Sequence, residues 1–287
     1  MATEALYLDN ASLHTISTQI ISSHPLSSLT DDEKRLAKIV PLEDIFALST
    51  RSTVFYPQGG GQPSDTGVII SRPTNQDDGD DGVKRNGVFE VLLVRKTSDG
   101  TILHFGRISP VESNITRQPS LNFPTGQPVS LQINESKRTY HSRLHTAGHI
   151  LGLAMRLLSP TLGDRKKVKA NHFPGEACME FEGLLYNEHK PLIQEKVDEL
   201  VRLNLPVRIS WWDAEEVERR KEELDMVEGR EVGGMGRVRI AEIGDLDANP
   251  CGGTHVSGTG EVGAVRIRKI GRVKGVSRVS YEVEVVV

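Results

Sequence analysis

Residues 138–158 read RTYHSRLHTAGHILGLAMRLL. Leu144, Ile150, Leu151, Ala154, Leu157 and Leu158 recur at helical spacing, so the stretch predicts one long helix. Ahead of it the periodicity is different. Short apolar runs at Ile16–Ile21, Ile45–Ser49, Gly67–Ser71, Val88–Lys96, Ile102–Phe105 and Val129–Ile133 are separated by Gly, Pro, Asn and Asp, and predict strands. One helical signal interrupts them, Asp31–Ile39, with Thr30 or Asp31 as its cap. Several short strands with one helix predict a small β-barrel over residues 1–133. Beyond it, Asn187–Leu203 and Ala214–Val227 predict helices. Cys178–Phe181, residues 207–212, Val238–Ile243, Val262–Ile270 and Val276–Val287 predict strands. Mixed elements give an α+β domain over residues 134–287, so the fold class is α+β with an N-terminal barrel.

The chain has 287 residues, 37% hydrophobic and 26% charged, with a net charge of −4. That balance suits a soluble globular protein, and any nucleic-acid binding must come from local patches. Two cysteines, Cys178 and Cys251, are too few for a disulfide-stapled secreted fold, so a cytoplasmic location is expected. No apolar run approaches the roughly 18 residues of a membrane span, and no signal peptide is apparent. Residues 75–82, NQDDGDDG, read as an acidic loop, and Ser109–Gln127 as a polar surface loop.

The long helix carries His141, His145 and His149. Side chains four residues apart share a helical face and can converge on one ion. His141 and His149 are too far apart along the axis to join the same ion, so the pair is either His141/His145 or His145/His149. Residues 250–260, PCGGTHVSGTG, add Cys251 and His255 on a glycine-bearing loop that can turn both side chains the same way. Two helical histidines with Cys251 and His255 make a plausible tetrahedral Zn2+ set. Alone, each pair is more often an ordinary polar face, and His141 reads as a surface residue or nucleic-acid contact. Zinc proteases with two helical histidines place a glutamate after the first; here Thr146 stands there, which argues against that class.

Residues 53–67, TVFYPQGGGQPSDTG, hold three consecutive glycines that would let backbone approach a ligand closely. The ordinary reading is a hairpin connection. The run lacks the Lys and Ser/Thr of a phosphate-cradling loop, so no ATP is expected.

In order, FYPQGGGQPSDTG, HTAGH and CGGTH resemble the editing domain of alanyl-tRNA synthetase and the alanyl-tRNA editing proteins of AlaX type. Ile102–Leu103–His104, Arg138, Ala170–Asn171–His172–Phe173 and Glu180–Phe181 are smaller echoes. The resemblance implies a β-barrel followed by an editing domain with a zinc cleft. It also implies hydrolysis of the aminoacyl ester on mischarged tRNA(Ala), chiefly with serine and secondly with glycine. It maps the metal ligands onto His145, His149, Cys251 and His255, and places Gly59, Gly60, Gly61, Gln62 and His172 at the amino acid. Departures are the two long polar loops, Asn134 in place of an aspartate, and Cys178 in a segment expected to line the pocket. The chain ends soon after this region, so aminoacylation is not expected.

Thr146 and Thr254 adjoin ligands and, with Gln62, are candidates to act on substrate or water; local capping is the plainer alternative for the threonines. A zinc here would act as a Lewis acid or, with four protein ligands, as a scaffold. For tRNA, residues 262–278 offer Arg266, Arg268, Lys269, Arg272 and Lys274 with no acid among those seventeen residues, against the alternative of a solvated strand edge. A non-catalytic zinc-containing tRNA-binding or interaction protein is the competing expectation.

Overall fold

A computed structural model describes residues 2–37, 44–71, 87–109, 123–220 and 236–284. The chain divides into two compact units: Met1–Gln58 with Ser64–Arg138, and Gly59–Pro63 with Thr139–Val287. The glycine run thus groups with the second unit, although both segments flanking it belong to the first. The acidic loop 75–82 and most of the loop 109–127 lie outside the described residues.

In the first unit the strands are β1 (Glu4–Ala5), β2 (Thr15–Pro25), β3 (Phe46–Thr50), β4 (Ser52–Thr53), β5 (Gly67–Ser71), β6 (Val88–Lys96), β7 (Ile102–Ser109) and β8 (Pro128–Ile133). The expected barrel closes in the order β2-β3-β7-β6-β5-β8. Alternating apolar residues fill it: Ile20, Leu48, Ile69, Phe89, Val91, Val129 and Leu131 form one buried cluster. The helix α1 (Asp31–Leu36) starts with a capping box in which Thr30 and Glu33 satisfy each other's backbone amides. Residues 38 and 39, which were expected to continue it, are not described.

A buried ion pair ties down the loop that leads to and from the glycines. Arg138 and Asp65, each 1% exposed, form it. Arg138 also donates to the carbonyls of Val54 and Ala11, and the Asp65 carboxylate accepts the Tyr56 amide at 2.7 Å. Multiple hydrogen bonds of this kind are what make a buried pair tolerable.

The second unit contains the greater part of α2 (Glu135–Leu157), then α3 (Ser159–Leu162), β9 (Lys167–Asn171), β10 (Cys178–Glu182), α4 (Lys190–Arg202), β11 (Val207–Trp212), α5 (Ala214–Arg219), β12 (Val238–Ile243), β13 (Asp247–Pro250), β14 (Val265–Val273) and β15 (Val276–Val283). Asn134, where an aspartate was anticipated, caps α2 by accepting the Lys137 amide at 2.9 Å. Asn and Asp serve equally in that role. Four strands form a sheet ordered β14-β15-β10-β9, and three form a second ordered β11-β12-β13. Leu144, Ala147, Leu151 and Ala154 of α2 share one core with Ile193 and Val197 of α4 and with Phe181, Ile267, Val279 and Tyr281 of the larger sheet. Residues 141–155 of α2 are buried on nearly every side, His149 excepted, which marks a central helix. No helix among the described residues is long and apolar enough to cross a membrane.

The barrel also holds a histidine with no charged partner to compensate burial. His104 is fully buried; its Nδ1–H donates to the Leu48 carbonyl at 3.0 Å, and its Nε2 accepts from the Thr53 hydroxyl at 2.8 Å. Burial lowers its pKa to about 4, from an ordinary 6.5. The folded chain therefore keeps His104 neutral where the unfolded chain takes up a proton. Stability is lost as pH falls from 6.5 to about 4, by up to roughly 3 kcal/mol, and this group contributes no pH dependence above neutrality. Urea titrations at pH 7 and pH 4.5 should show this loss, and the loss should be smaller in a His104→Gln variant.

Candidate metal centre

Four donors meet in the second unit. The ligating atoms of His145, His149, Cys251 and His255 all lie within 4.8 Å of one another. His145 and His149 are one turn apart on α2, with ring centroids 5.1 Å apart. Cys251 and His255 come from the loop after β13. Cys251 Sγ lies 3.4 Å from His145 Nε2 and 3.3 Å from His255 Nε2.

For His145 and His255 the surrounding hydrogen bonds fix which nitrogen faces the centre. Gln62 Oε1 accepts the Thr254 backbone N–H at 3.1 Å, so it is the acceptor for His145 Nδ1–H at 2.7 Å. That leaves the His145 Nε2 lone pair for a metal. Thr146 Oγ1 lies 3.2 Å from His255 Nδ1 and accepts the Val256 amide at 3.3 Å. Partners of this type on the remote nitrogen set ring orientation and ligand basicity in metal sites.

Burial lowers the pKa of His145, His149 and His255 well below the ordinary value. Neighbouring imidazoles and the buried guanidinium of Arg239 add to the effect. All three are therefore neutral at physiological pH, the form that binds a metal. His149 Nδ1 is buried with no hydrogen-bond partner in the protein. Such an atom is costly unless something else meets it. Three neutral imidazoles and one thiol, converging this closely, fit a tetrahedral zinc.

Two glycines make the convergence sterically possible. A Cβ on Gly253 would lie 2.1 Å from His145 Cε1 and 3.0 Å from Gln62 Oε1. At Gly61, φ is +80° and a Cβ would lie 2.7 Å from the Ala170 carbonyl oxygen. Gly60 is also at positive φ, and the Gln62 amide donates to the Gly59 carbonyl at 2.8 Å. These are the features of a type I′ turn, so the glycine run is a tight hairpin. The His172 amide pins it by donating to the Gly61 carbonyl at 2.8 Å.

The residues expected to act on substrate fall into two groups. Gln62, Thr146 and Thr254 are each 0% exposed and engaged in the ligand-holding bonds described above. Gly59 and Gly60 are exposed at the turn. His172 stacks on His145 with centroids 4.2 Å apart. The Tyr281 hydroxyl donates to the Leu144 carbonyl at 3.0 Å, so His172 Nδ1–H donates to that hydroxyl at 2.5 Å. Burial, with Lys167 nearby, lowers the His172 pKa to about 3. Its Nε2 is then an acceptor only.

His141, expected at the surface, is only 8% exposed and stands outside the donor group. The helix it sits on is central, so its turn has no solvent side. Arg266, Arg268, Lys269, Arg272 and Lys274 are exposed along the β14–β15 hairpin. Arg266 and Arg268 approach Glu282 at 3.5 and 3.6 Å, and Arg272 lies over the Tyr186 ring at 4.8 Å.

Ser142, Arg239 and Tyr281 were not anticipated. Ser142 lies one turn before His145 on the same helix face, a spacing that could have flagged it. Arg239 donates to the Cys251 carbonyl at 2.5 Å from an adjacent strand, and nothing local in the sequence signals this.

Residues 238–280, which include Cys251 and His255, match the Threonyl and Alanyl tRNA synthetase second additional domain. The chain is 29% identical over 217 residues to the alanyl-tRNA editing protein AlaX-L of Pyrococcus horikoshii, covering 75% of this chain and 45% of that one. It is 32% identical over 238 residues to the alanine–tRNA ligase of Saccharolobus islandicus, covering 80% of this chain and 23% of the ligase. With the ligase of Halorubrum lacusprofundi it shares 30% over 258 residues, 88% of this chain and 24% of that protein. The chain thus spans between about a quarter and under half the length of these relatives. The stretch 238–280 thus resembles the second additional domain of threonyl and alanyl tRNA synthetases. Most of the chain is similar to the AlaX-L editing protein and to part of the alanine–tRNA ligases.

The geometry makes the ligand set testable. Metal content measured by atomic emission should be one zinc per chain for the wild type and for His141→Asn. It should fall well below one for Cys251→Ala and for Gly253→Ala, whose new methyl displaces the His145 ring.

Proposed function

We propose that the protein hydrolyses the aminoacyl ester of mischarged tRNA(Ala), with serine as the main amino acid and glycine as the second. Water adds to the ester carbonyl, the bond to the ribose oxygen breaks, and free amino acid and tRNA leave. The observation that carries this reading is the meeting of His145, His149, Cys251 and His255 in a chain related to AlaX-L.

His145, His149, Cys251 and His255 would hold a zinc, and the bound ion supplies a fixed positive charge that orients and polarises the substrate. Four protein donors are the mark of a closed site, so orientation is its main contribution. An aminoacyl ester is labile, and positioning can account for much of the acceleration. His172 Nε2 offers a neutral acceptor beside the His145 ring, suited to the amino group or hydroxyl of a bound serine. The exposed backbone of Gly59 and Gly60 borders the same part of the unit. A site that hydrogen-bonds a hydroxyl disfavours a substrate lacking one, which would spare correctly charged alanine.

Phosphate contact falls to the β14–β15 hairpin. Glu282 offsets Arg266 and Arg268, so Lys269, Arg272 and Lys274 carry most of the uncompensated charge. Binding through such contacts weakens as salt rises.

The test is release of amino acid from Ser-tRNA(Ala), Gly-tRNA(Ala) and Ala-tRNA(Ala), with and without a chelator. Serine release should exceed alanine release by at least about tenfold, consistent with one lost hydrogen bond. Chelation or Cys251→Ala should abolish most of it. Tight tRNA binding and bound zinc without release would favour a non-catalytic tRNA-binding protein. A Lys269→Glu, Lys274→Glu variant should raise KM with little change in kcat and flatten the salt dependence by about one contact per lysine.

A further inference from the structure

We infer that Gln62 is a positioning residue of the metal centre, holding His145 and the Cys251–His255 loop in register, and does not contact the substrate. The inference rests on the proposed metal centre and deepens it.

One side-chain amide joins the two halves of the donor set. Its oxygen accepts from His145 Nδ1–H at 2.7 Å and from the Thr254 backbone N–H at 3.1 Å. Its nitrogen donates to Thr254 Oγ1 at 2.8 Å. Thr254 Oγ1 in turn lies 2.7 Å from Ser142 Oγ, one helical turn before His145. The circuit therefore runs from α2 through Gln62 to the loop and back to α2. Cys251 and His145 are 106 residues apart in the chain, so no local geometry sets their separation.

Gln62 is 0% exposed, and these bonds use both of its polar atoms. With no exposed surface, the amide is out of reach of a substrate unless the residues packed over it move. Removing it would leave His145 Nδ1–H a buried donor without an acceptor and let the ring turn about its long bond. The backbone supports the assignment. The Gly59–Gln62 turn is tight, pinned at Gly61, and delivers Gln62 inward. Gly253 has no side chain where one would meet both Gln62 Oε1 and His145.

The experiment compares full-length wild type, Gln62→Met and Gln62→Glu. Zinc dissociation constants come from competition with a chromophoric chelator, and site geometry from the visible d–d bands of the Co2+-loaded protein. Gln62→Met keeps the volume and loses the acceptor. It should weaken zinc binding by about 10- to 100-fold and shift the Co2+ bands. Gln62→Glu keeps an acceptor for His145 Nδ1–H and should recover zinc affinity to within about fivefold, less than the effect of losing the partner altogether. Unchanged zinc affinity and Co2+ spectrum in Gln62→Met, with a raised KM for Ser-tRNA(Ala), would overturn the assignment in favour of substrate contact. Equal weakening by Met and Glu would overturn it in favour of packing alone. Should Gln62→Met not fold, Thr254→Val removes the hydroxyl that joins the Gln62 amide nitrogen to Ser142 Oγ, leaves the Gln62 oxygen in place, and should still weaken zinc binding by several-fold; no change there would sink the inference. If the wild type binds zinc and the variants behave as expected but serine is not released, the proposed function fails and the positioning role stands.

Discussion

Three imidazoles and a thiol are brought within 4.8 Å of one another in a largely buried site, and the second unit is arranged around that constraint. Such groups are costly to desolvate and would repel if protonated. The protein meets this by keeping the imidazoles neutral and by giving the remote nitrogens of His145 and His255 partners in Gln62 and Thr146. What remains is a set of lone pairs directed at one point, with His149 Nδ1 left without a protein partner. A cation is the natural occupant of such an arrangement.

The glycine hairpin gains a different meaning in this light. Three glycines suggest a pliable flap. Their positions instead serve a tight turn, a close approach to the Ala170 carbonyl and the delivery of one glutamine to the interior. The neighbouring loop residue Asp65 is fixed by Arg138, a buried ion pair whose removal on one side typically costs about 3–5 kcal/mol. The run is thus stiff on both counts: backbone geometry at its tip and an ion pair beyond it. A rigid hairpin can define the edge of a binding site without moving.

Thr146, Thr254, Gln62 and His172 are all interior, whereas Gly59 and Gly60 are exposed. The charged hairpin β14–β15 shows a similar division. Its Lys274–Gly275 turn has positive φ at both central residues and carries exposed bases, while Glu282 on the partner strand tempers two of its arginines.

Much of this was legible before any coordinates. Short apolar runs set off by Gly, Pro, Asn and Asp foretold the barrel strands, since each is too short for a helix and ends at a turn residue. Helical spacing foretold α2, and the i, i+4 histidines followed from it directly. Weaker elements escaped notice: β9 is mostly polar and β13 is short and polar, so neither has an apolar period to betray it. The identities of the donors, His/His and Cys/His, were set by local sequence. Whether His141 or His149 completes the pair, and what holds the pair to the loop, depended on tertiary contacts. A ligand's partner across 83 or more residues leaves no spacing in the chain, because hydrogen bonds such as His145–Gln62 and His255–Thr146 exist only once separate segments have packed.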